Sequence, residues 1–344
     1  MKKRVLLFTS SFMDIYKDVM ESIEEKGLEV VWVQASTIPN NPFRKFEKGS
    51  SKHDVDIYMS KVEEMWKNRL KDADMQLPFD YFLAINGLDV CPFIFNYLRE
   101  SNPSIRMVLF LYDRVEGVVQ MDSFFKFYDD VYSFDLGDTK QFGLKFLPIY
   151  WKPSKAYISP QYDIFGFASF SFSKPERTKL YKEIEHLSHS NGFKSFIKLY
   201  FGRDNSGSLG YFFKYIAKKI LGIPVLSPKE LRSEIYTHQT ISPSDYRLMI
   251  SKSRAILDTQ ASYQDGLTAR FMWALGEEKK IITTNDNILK YPFYTPEQFY
   301  ILNENNLSGI PEFLKKDFVM TDSNRKIVAQ YRIDNWLDTL LMLA

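Results

Sequence analysis

The sequence predicts an α/β protein made of two doubly wound domains, each built on a parallel sheet. Three observations carry that prediction. Short apolar runs alternate with helix-period segments from the N-terminus onward, which is the rhythm of βαβ units. The chain has 344 residues, a length that suits two domains of ordinary size. A proline-punctuated interval at 148–161, holding Pro148, Pro153 and Pro160, falls near the middle. It divides the chain into domains 1–152 and 153–344.

Residues 4–9 are an apolar run that reads as a buried strand, and Ser10-Ser11 turns out of it. Phe12, Tyr16, Val19, Met20 and Ile23 recur at helical spacing until Gly27 stops the pattern. Residues 28–34 supply the next strand. This opening has no G-x-G-x-x-G loop, so the dinucleotide fingerprint is absent. Residues 36–51 are polar, with Pro39, Pro42 and Gly49, and read as a loop. A helix follows over 55–70, then a strand over 79–85 ending at Asn86-Gly87. The helix over 92–100 stops at Asn102-Pro103. Strands over 107–111 and 131–134 end near Asp113 and at Asp135, with a short helix at 124–128 between them. A helical turn at 139–142 closes on Gly143, and a last strand spans 146–150.

Beyond the proline interval, residues 164–172 read as a strand carrying Gly166. Ser173-Lys174-Pro175-Glu176 fits a capping box with proline at the first helical position, and that helix runs to about Leu187. Another strand spans 193–201. Leu209, Phe212, Phe213, Ile216, Ala217 and Ile220 then form an apolar stripe, with Lys214, Lys218 and Lys219 off it. Such a stripe suits packing on a sheet. The same helix could instead lie on an anionic membrane surface, a peripheral contact assigned to 209–221. A short helix at 244–251 leads into the strand 255–258. After a polar loop, a helical pattern spans 267–275, and the strand 280–283 ends at Thr284-Asn285. Apolar segments near 299–302, 311–315 and 336–343 complete the chain.

Composition removes several classes of function. Lysine and arginine number 45 against 43 acids, so no basic excess is available to displace counterions from nucleic acid. Cys91 is the only cysteine, which leaves no disulfide framework and no thiolate metal site. The start, Met1-Lys2-Lys3-Arg4, mimics a signal peptide, but its apolar run is too short. No apolar stretch approaches the length of a membrane span. A cytoplasmic protein, with association at the inner membrane face open to it, is the expectation. G-x-S-x-G, P-loop and kinase signatures are absent.

The most informative stretch is 255–285, a strand, loop, helix and strand with polar residues at the carboxyl ends of the strands. Parallel sheets bind ligands at that edge, and a helix start favours an anion. Asp265-Gly266 followed by Trp273-Ala274-Leu275-Gly276 resembles the Glu-Gly…Glu-Ala element of GT-B glycosyltransferases. The run from Gly266-Leu267-Thr268 through Arg270 to Lys279-Lys280-Ile281-Ile282-Thr283-Thr284-Asn285 is similar to proteins of bacterial lipopolysaccharide and capsule synthesis. The resemblance implies two Rossmann-like domains facing a cleft. It implies a nucleotide-sugar donor in the second domain and a glycan or lipid-linked glycan acceptor in the first. The nucleotide sugar is a co-substrate, and no cofactor is implied. A C-terminal helix crossing back to the first domain is a role open to 336–343. Two positions depart from the motif. Asp265 replaces Glu and keeps the charge, whereas Trp273 removes the ribose acceptor.

Gly266, Leu267, Thr268 and Arg270 are the candidates for holding the diphosphate, with Arg270 neutralising charge on the departing nucleotide. An ordinary glycine loop before a helix is the plainer reading. Asp265 would meet donor hydroxyls, or merely turn the chain. Trp273 could stack on a base, but filling core is the simpler role. Gly166, with Ser173, Lys174 and Arg177 at a helix start, makes a second phosphate candidate beside the reading of a capped helix. Thr284 and Asn285 complete the donor set. Asp113 is the candidate base for an acceptor hydroxyl, with Asp135 behind it. Ser10, Ser11, Asn86 and Gly87 are candidate acceptor contacts. The triplets Asp54-Val55-Asp56 and Asp72-Ala73-Asp74 could hold a cation, but each lies at a helix edge, so no metal is expected. His53, His186, His189 and His238 have no metal-ligand spacing. The alternatives to a transferase are a non-catalytic glycan- or nucleotide-binding protein and a nucleotide-sugar epimerase of the same fold.

Overall fold

The computed structural model describes residues 2–38, 52–115, 121–154, 159–202, 209–260 and 265–343. Most of the predicted loop 36–51 therefore lies outside the described residues. So do parts of the proline interval and of the polar loop after Asp258. The chain divides into two compact units. Unit 1 takes Met1–Lys152, Ser262–Leu267 and Ala329–Ala344, and unit 2 takes Pro153–Ala261 and Thr268–Val328. Residues 262–267 and 329–344, which a single cut at 152 would assign to the second domain, are counted with unit 1.

Unit 1 runs β1 (Arg4–Thr9), α1 (Ile15–Glu25), β2 (Glu29–Gln34), α2 (Lys52–Arg69), β3 (Tyr81–Ile85), α3 (Pro92–Ser101), β4 (Arg106–Leu111), β5 (Asp130–Ser133), α4 (Leu136–Phe142) and β6 (Lys145–Phe146). The strands pair in parallel in the order β2-β1-β3-β4-β5-β6. The order reverses between β1 and β3, which makes their carboxyl ends the switch point of the sheet. β1 and β3 are buried along their whole length, as their unbroken apolar runs require. On one face Phe8, Trp66, Phe82 and Phe95 pack as an aromatic core. The chain's last helix, α12 (Ile333–Leu341), covers β4 through Trp336, whose ring centroid lies 4.8 Å from that of Phe110. The C-terminal helix thus folds into the unit in which the chain began.

Unit 2 runs β7 (Tyr162–Ser169), α5 (Pro175–Ser190), β8 (Ser195–Tyr200), α6 (Leu209–Ile220), α7 (Pro228–Leu231), β9 (Tyr236–Thr237), α8 (Pro243–Ser251), β10 (Ser253–Asp258), α9 (Ala269–Gly276), β11 (Lys280–Thr283), β12 (Phe299–Ile301), α10 (Ile310–Lys315) and α11 (Asp322–Ala329). Its sheet is also parallel, in the order β12-β11-β10-β7-β8-β9. Here the switch point falls between β7 and β10. Among the described residues, no helix of either unit is long and apolar enough to cross a membrane.

Three expectations change. The strand predicted at 146–150 stops at Phe146: Leu147 N still donates to Ser133 O, but Pro148 has no N–H to continue the ladder. The capping box at Ser173 does not form. Lys174 is the N-cap residue, without a side-chain cap, and Ser173 Oγ instead lies 2.7 Å from Ser171 Oγ. Pro175 does occupy the first turn. Finally, the apolar stripe of α6 does not pack into the core. Phe212, Phe213, Ile216 and Ile220 are all exposed.

Candidate functional site

In unit 2, the switch point brings together the residues after β7 and those after β10. Asp258 ends β10 and is buried. Thr268, the N-cap residue of α9, donates its hydroxyl to Asp258 Oδ1 at 2.8 Å and accepts from Phe271 N at 3.1 Å. Arg270 Nε stands 3.7 Å from the same carboxylate oxygen, and its Nη1 donates to Phe167 O at 3.4 Å. Burial opposes the Arg270 charge, but Tyr246, Asp258 and Tyr181 outweigh it and raise the guanidinium above its ordinary value. Burial pushes the Asp258 carboxyl up, against the pull of Arg270 and Thr268. The other oxygen, Asp258 Oδ2, has no hydrogen-bond partner among the described residues.

Two further cations close the cluster. Arg177, in the first turn of α5, donates from Nη2 to Thr259 O at 3.2 Å. Lys174 precedes α5 and has no carboxylate within ion-pair distance among the described residues. Its pKa is lowered by burial and then by the charges of Arg177 and Arg270. Three cationic side chains therefore gather at the carboxyl edge of this sheet. Beside Lys174, a cleft of about 510 Å³ opens at the ends of β7 and β8, lined by Ser169, Phe170, Ser171, Phe172, Ser173, Tyr200, Phe201 and Gly202.

Several predicted donor residues have local work that explains them. Gly166 lies within β7, where a Cβ would come 3.2 Å from Leu257 Cβ; it lets two neighbouring strands pack. Thr284 N donates to Asp258 O at 3.3 Å, and its hydroxyl accepts from Gln260 N. Asn285 is buried, caps a short 3-10 turn through Asn287 N, and donates to Gln260 Oε1 at 2.6 Å. Trp273 is buried against Tyr246, with the Arg247 guanidinium 5.3 Å from its ring centroid.

Residues 265–267 belong to unit 1. There Asp135 caps α4 with one oxygen, accepting from Gly137 N and Asp138 N. Its other oxygen accepts from Asp265 N at 2.7 Å and Gly266 N at 3.1 Å. Arg114 Nε lies 3.6 Å from both Asp135 Oδ1 and Asp138 Oδ1. Of the candidates for the diphosphate, Gly266 thus gives its backbone N–H to Asp135. Gly266 is glycine because a Cβ would sit 2.6 Å from Phe134 O. Leu267 is buried.

At the switch point of unit 1, Asn86 Oδ1 accepts from Tyr112 N and Asp113 N, and its Nδ2 donates to Asp113 Oδ2 at 2.7 Å. Ser10 Oγ lies 3.2 Å from Tyr112 OH. Ser10, Asn86 and Asp113 are therefore brought together, with Asp113 exposed. Ser11 is exposed and accepts from Gln34 Nε2 at 3.4 Å. Gly87 has a left-handed backbone, and a Cβ there would meet Leu109 Cδ1 at 2.7 Å.

The metal candidates do not converge. Asp72 and Asp74 are paired with Arg69, and Asp54 and Asp56 lie exposed in the first turns of α2. His238 Nδ1 lies 3.1 Å from Gly202 O, while His53, His186 and His189 are exposed on helices. No group of three His, Cys, Asp or Glu side chains placed to hold a metal occurs among the described residues. The sequence shows Asp258 ending its strand but gives it no role, because a single acid ending an apolar strand has no pattern of its own. Tyr200 and Phe172 of the cleft were equally silent among so many aromatics.

Two parallel, helix-flanked Rossmann-like units of six strands each define the GT-B fold. No family model matches the chain, and no curated protein matches it in sequence. Solved structures do match along its length. One, described as trehalose-6-phosphate from E. coli bound with UDP-2-fluoro glucose, has a TM-score of 0.58 at 11% identity, covering 99% of this chain and 100% of that one. The α,α-trehalose 6-phosphate synthase of Burkholderia multivorans gives 0.56 at 11%, covering 99% and 98%. AviGT4, a glycosyltransferase involved in avilamycin A biosynthesis, gives 0.54 at 11%, covering 99% of each chain. At such identities the likeness is one of fold.

Proposed function

We propose that the chain is a glycosyltransferase that takes a sugar from a nucleotide-sugar donor bound at the switch point of unit 2. The observation that carries this reading is the gathering of Lys174, Arg177 and Arg270 at that edge, with Lys174 facing no carboxylate among the described residues. In this reading the three cations hold the diphosphate. The bond from the anomeric carbon to the bridging oxygen breaks, and the cations stabilise the charge that grows on that oxygen. They do the work that a divalent cation does in metal-dependent transferases. The cleft beside Lys174 suits the aromatic and hydroxyl surface of a nucleoside or sugar. The similar folds described with UDP-2-fluoro glucose and with UDP support a nucleotide donor.

The acceptor is assigned to unit 1, a glycan or lipid-linked glycan of surface polysaccharide synthesis at the cytoplasmic side. That part rests on the motif resemblance at 265–285. An attacking hydroxyl must lose its proton to a base. Asp113, exposed and oriented by Asn86, is the carboxylate we assign. Trp273 favours a second reading, binding without turnover. Its ring is buried where the motif has an acid for the ribose.

Incubation with UDP-, GDP-, ADP- and CDP-sugars tests both. Slow release of free sugar, abolished by Asp113→Asn or strongly slowed by Lys174→Ala, is the expected result. Saturable binding without turnover would leave the second reading. Epimer formation would indicate an epimerase, and no binding at all would overturn the nucleotide site.

A further inference from the structure

We propose that α6 and the turn after it form a docking surface for an anionic lipid bilayer. The helix is seated on unit 2 by its two tyrosines, Tyr211 packing against the core cluster of that unit. Tyr211 OH donates to Leu226 O at 2.9 Å, and Tyr215 is partly buried. Phe213, Ile216, Ala217 and Ile220, spaced i, i+3, i+4 and i+7, all lie on the exposed side. Phe213 is 65% exposed, Ile220 79% and Leu221 71%, and Phe212 and Ile223 extend the patch. A helix that covers a sheet buries its apolar stripe. Here that stripe is turned outward.

Charge decides what covers it. The segment 209–229 carries Lys214, Lys218, Lys219 and Lys229 and no acid. None of the three helix lysines has a carboxylate within ion-pair distance among the described residues. A second copy meeting this face about a two-fold axis would set lysines against lysines, so self-association is opposed. A bilayer with anionic headgroups satisfies both halves of the surface. The apolar side chains enter the boundary between headgroups and acyl chains, while the lysines reach back to the phosphates on their long stems. The geometry is that of a helix lying in the plane of the membrane. This inference does not depend on the transferase reading.

The test is flotation of the full chain with vesicles of phosphatidylcholine alone and of phosphatidylcholine mixed with phosphatidylglycerol. Wild type should float with the mixed vesicles, and added salt or omission of phosphatidylglycerol should weaken the partition by about tenfold or more. Phe213→Ser with Ile220→Ser changes two exposed side chains and should abolish flotation with an unchanged melting temperature. Lys214→Glu with Lys219→Glu should give the same loss through charge, which guards against misfolding of the first variant. Wild type left behind with the mixed vesicles would overturn the proposal. So would variants that float as well as wild type. A dimer dissociated by the serine variant, without flotation of wild type, would overturn it in favour of a second copy.

Discussion

Replacing Lys174 with alanine separates ligand binding from folding. Arg270 is the wrong place to look, because its removal would leave Asp258 buried beside no guanidinium, at a cost of about 3–5 kcal/mol to the fold. Lys174 has no such debtor. Burial, Arg177 and Arg270 all oppose its charge, so the unliganded protein holds it at some expense. Lys174→Ala should therefore leave the melting temperature unchanged or raise it. In the complex the same ammonium makes a charge-assisted contact to phosphate, about 1.5–3 kcal/mol, so affinity should fall about ten- to a hundredfold. The direction of the pH dependence follows. The folded pKa lies below the ordinary 10.5, and only the protonated lysine attracts the anion. Affinity is full at neutral pH and falls as pH rises through the folded pKa, earlier than for an ordinary lysine. In the unliganded protein the unfolded chain binds more protons across that window, so the wild-type penalty relaxes as pH rises. Titration calorimetry with UDP, GDP, ADP, CDP and pyrophosphate, beside thermal melts, measures all of this. An alanine variant that binds like wild type, or that unfolds, would refute the assignment.

Asp135→Asn should destabilise by about 3 kcal/mol in urea unfolding, because an amide cannot accept from all the N–H groups that Asp135 now serves. Gly266→Ala should cost about 1–3 kcal/mol by the same measurement, since its methyl would be driven into Phe134. Burial raises the Asp138 carboxyl above its ordinary 3.8, so the native state holds that proton longer than the unfolded chain. Stability should then fall as pH rises from about 3.8 through the folded value, and Asp138→Asn should flatten that slope. Asp113→Asn should lower turnover by about 10²–10⁴-fold while leaving donor affinity within about twofold.

The strands of both sheets were legible because parallel strands buried on both faces carry unbroken apolar runs: residues 5–8, 107–111 and 255–257. The helix start at Pro175 was legible from proline chemistry, and that of α9 to within two residues from its apolar pattern. What escaped was anything fixed by tertiary choice. The stripe of α6 has the periodicity of a buried helix, and periodicity cannot say which way the stripe faces. Gly266 has the look of a phosphate-binding glycine. Its actual constraint is Phe134, 132 positions earlier in the chain, which no local pattern announces.

The carboxylates show why strand-end acids mislead in this fold. Asp135 and Asp258 both sit just where a parallel sheet presents its ligand edge, and both are almost wholly buried. Each is an anchor rather than a reagent. Asp135 ties residues 265–266 to the start of α4 through four backbone N–H groups, and Asp258 fixes the Thr268 hydroxyl and the Arg270 guanidinium. A carboxylate buried to this degree is poorly placed to take a proton from a mobile substrate. Asp113 occupies an equivalent strand end but is exposed, with Asn86 orienting one oxygen. Burial, which the sequence does not print, is what sorts one acid as candidate base and the other two as scaffolding. The same sorting applies to the cations: Arg270 is held by its carboxylate, whereas burial and two neighbouring guanidiniums oppose the charge of Lys174, which is why the proposed anion is assigned to it.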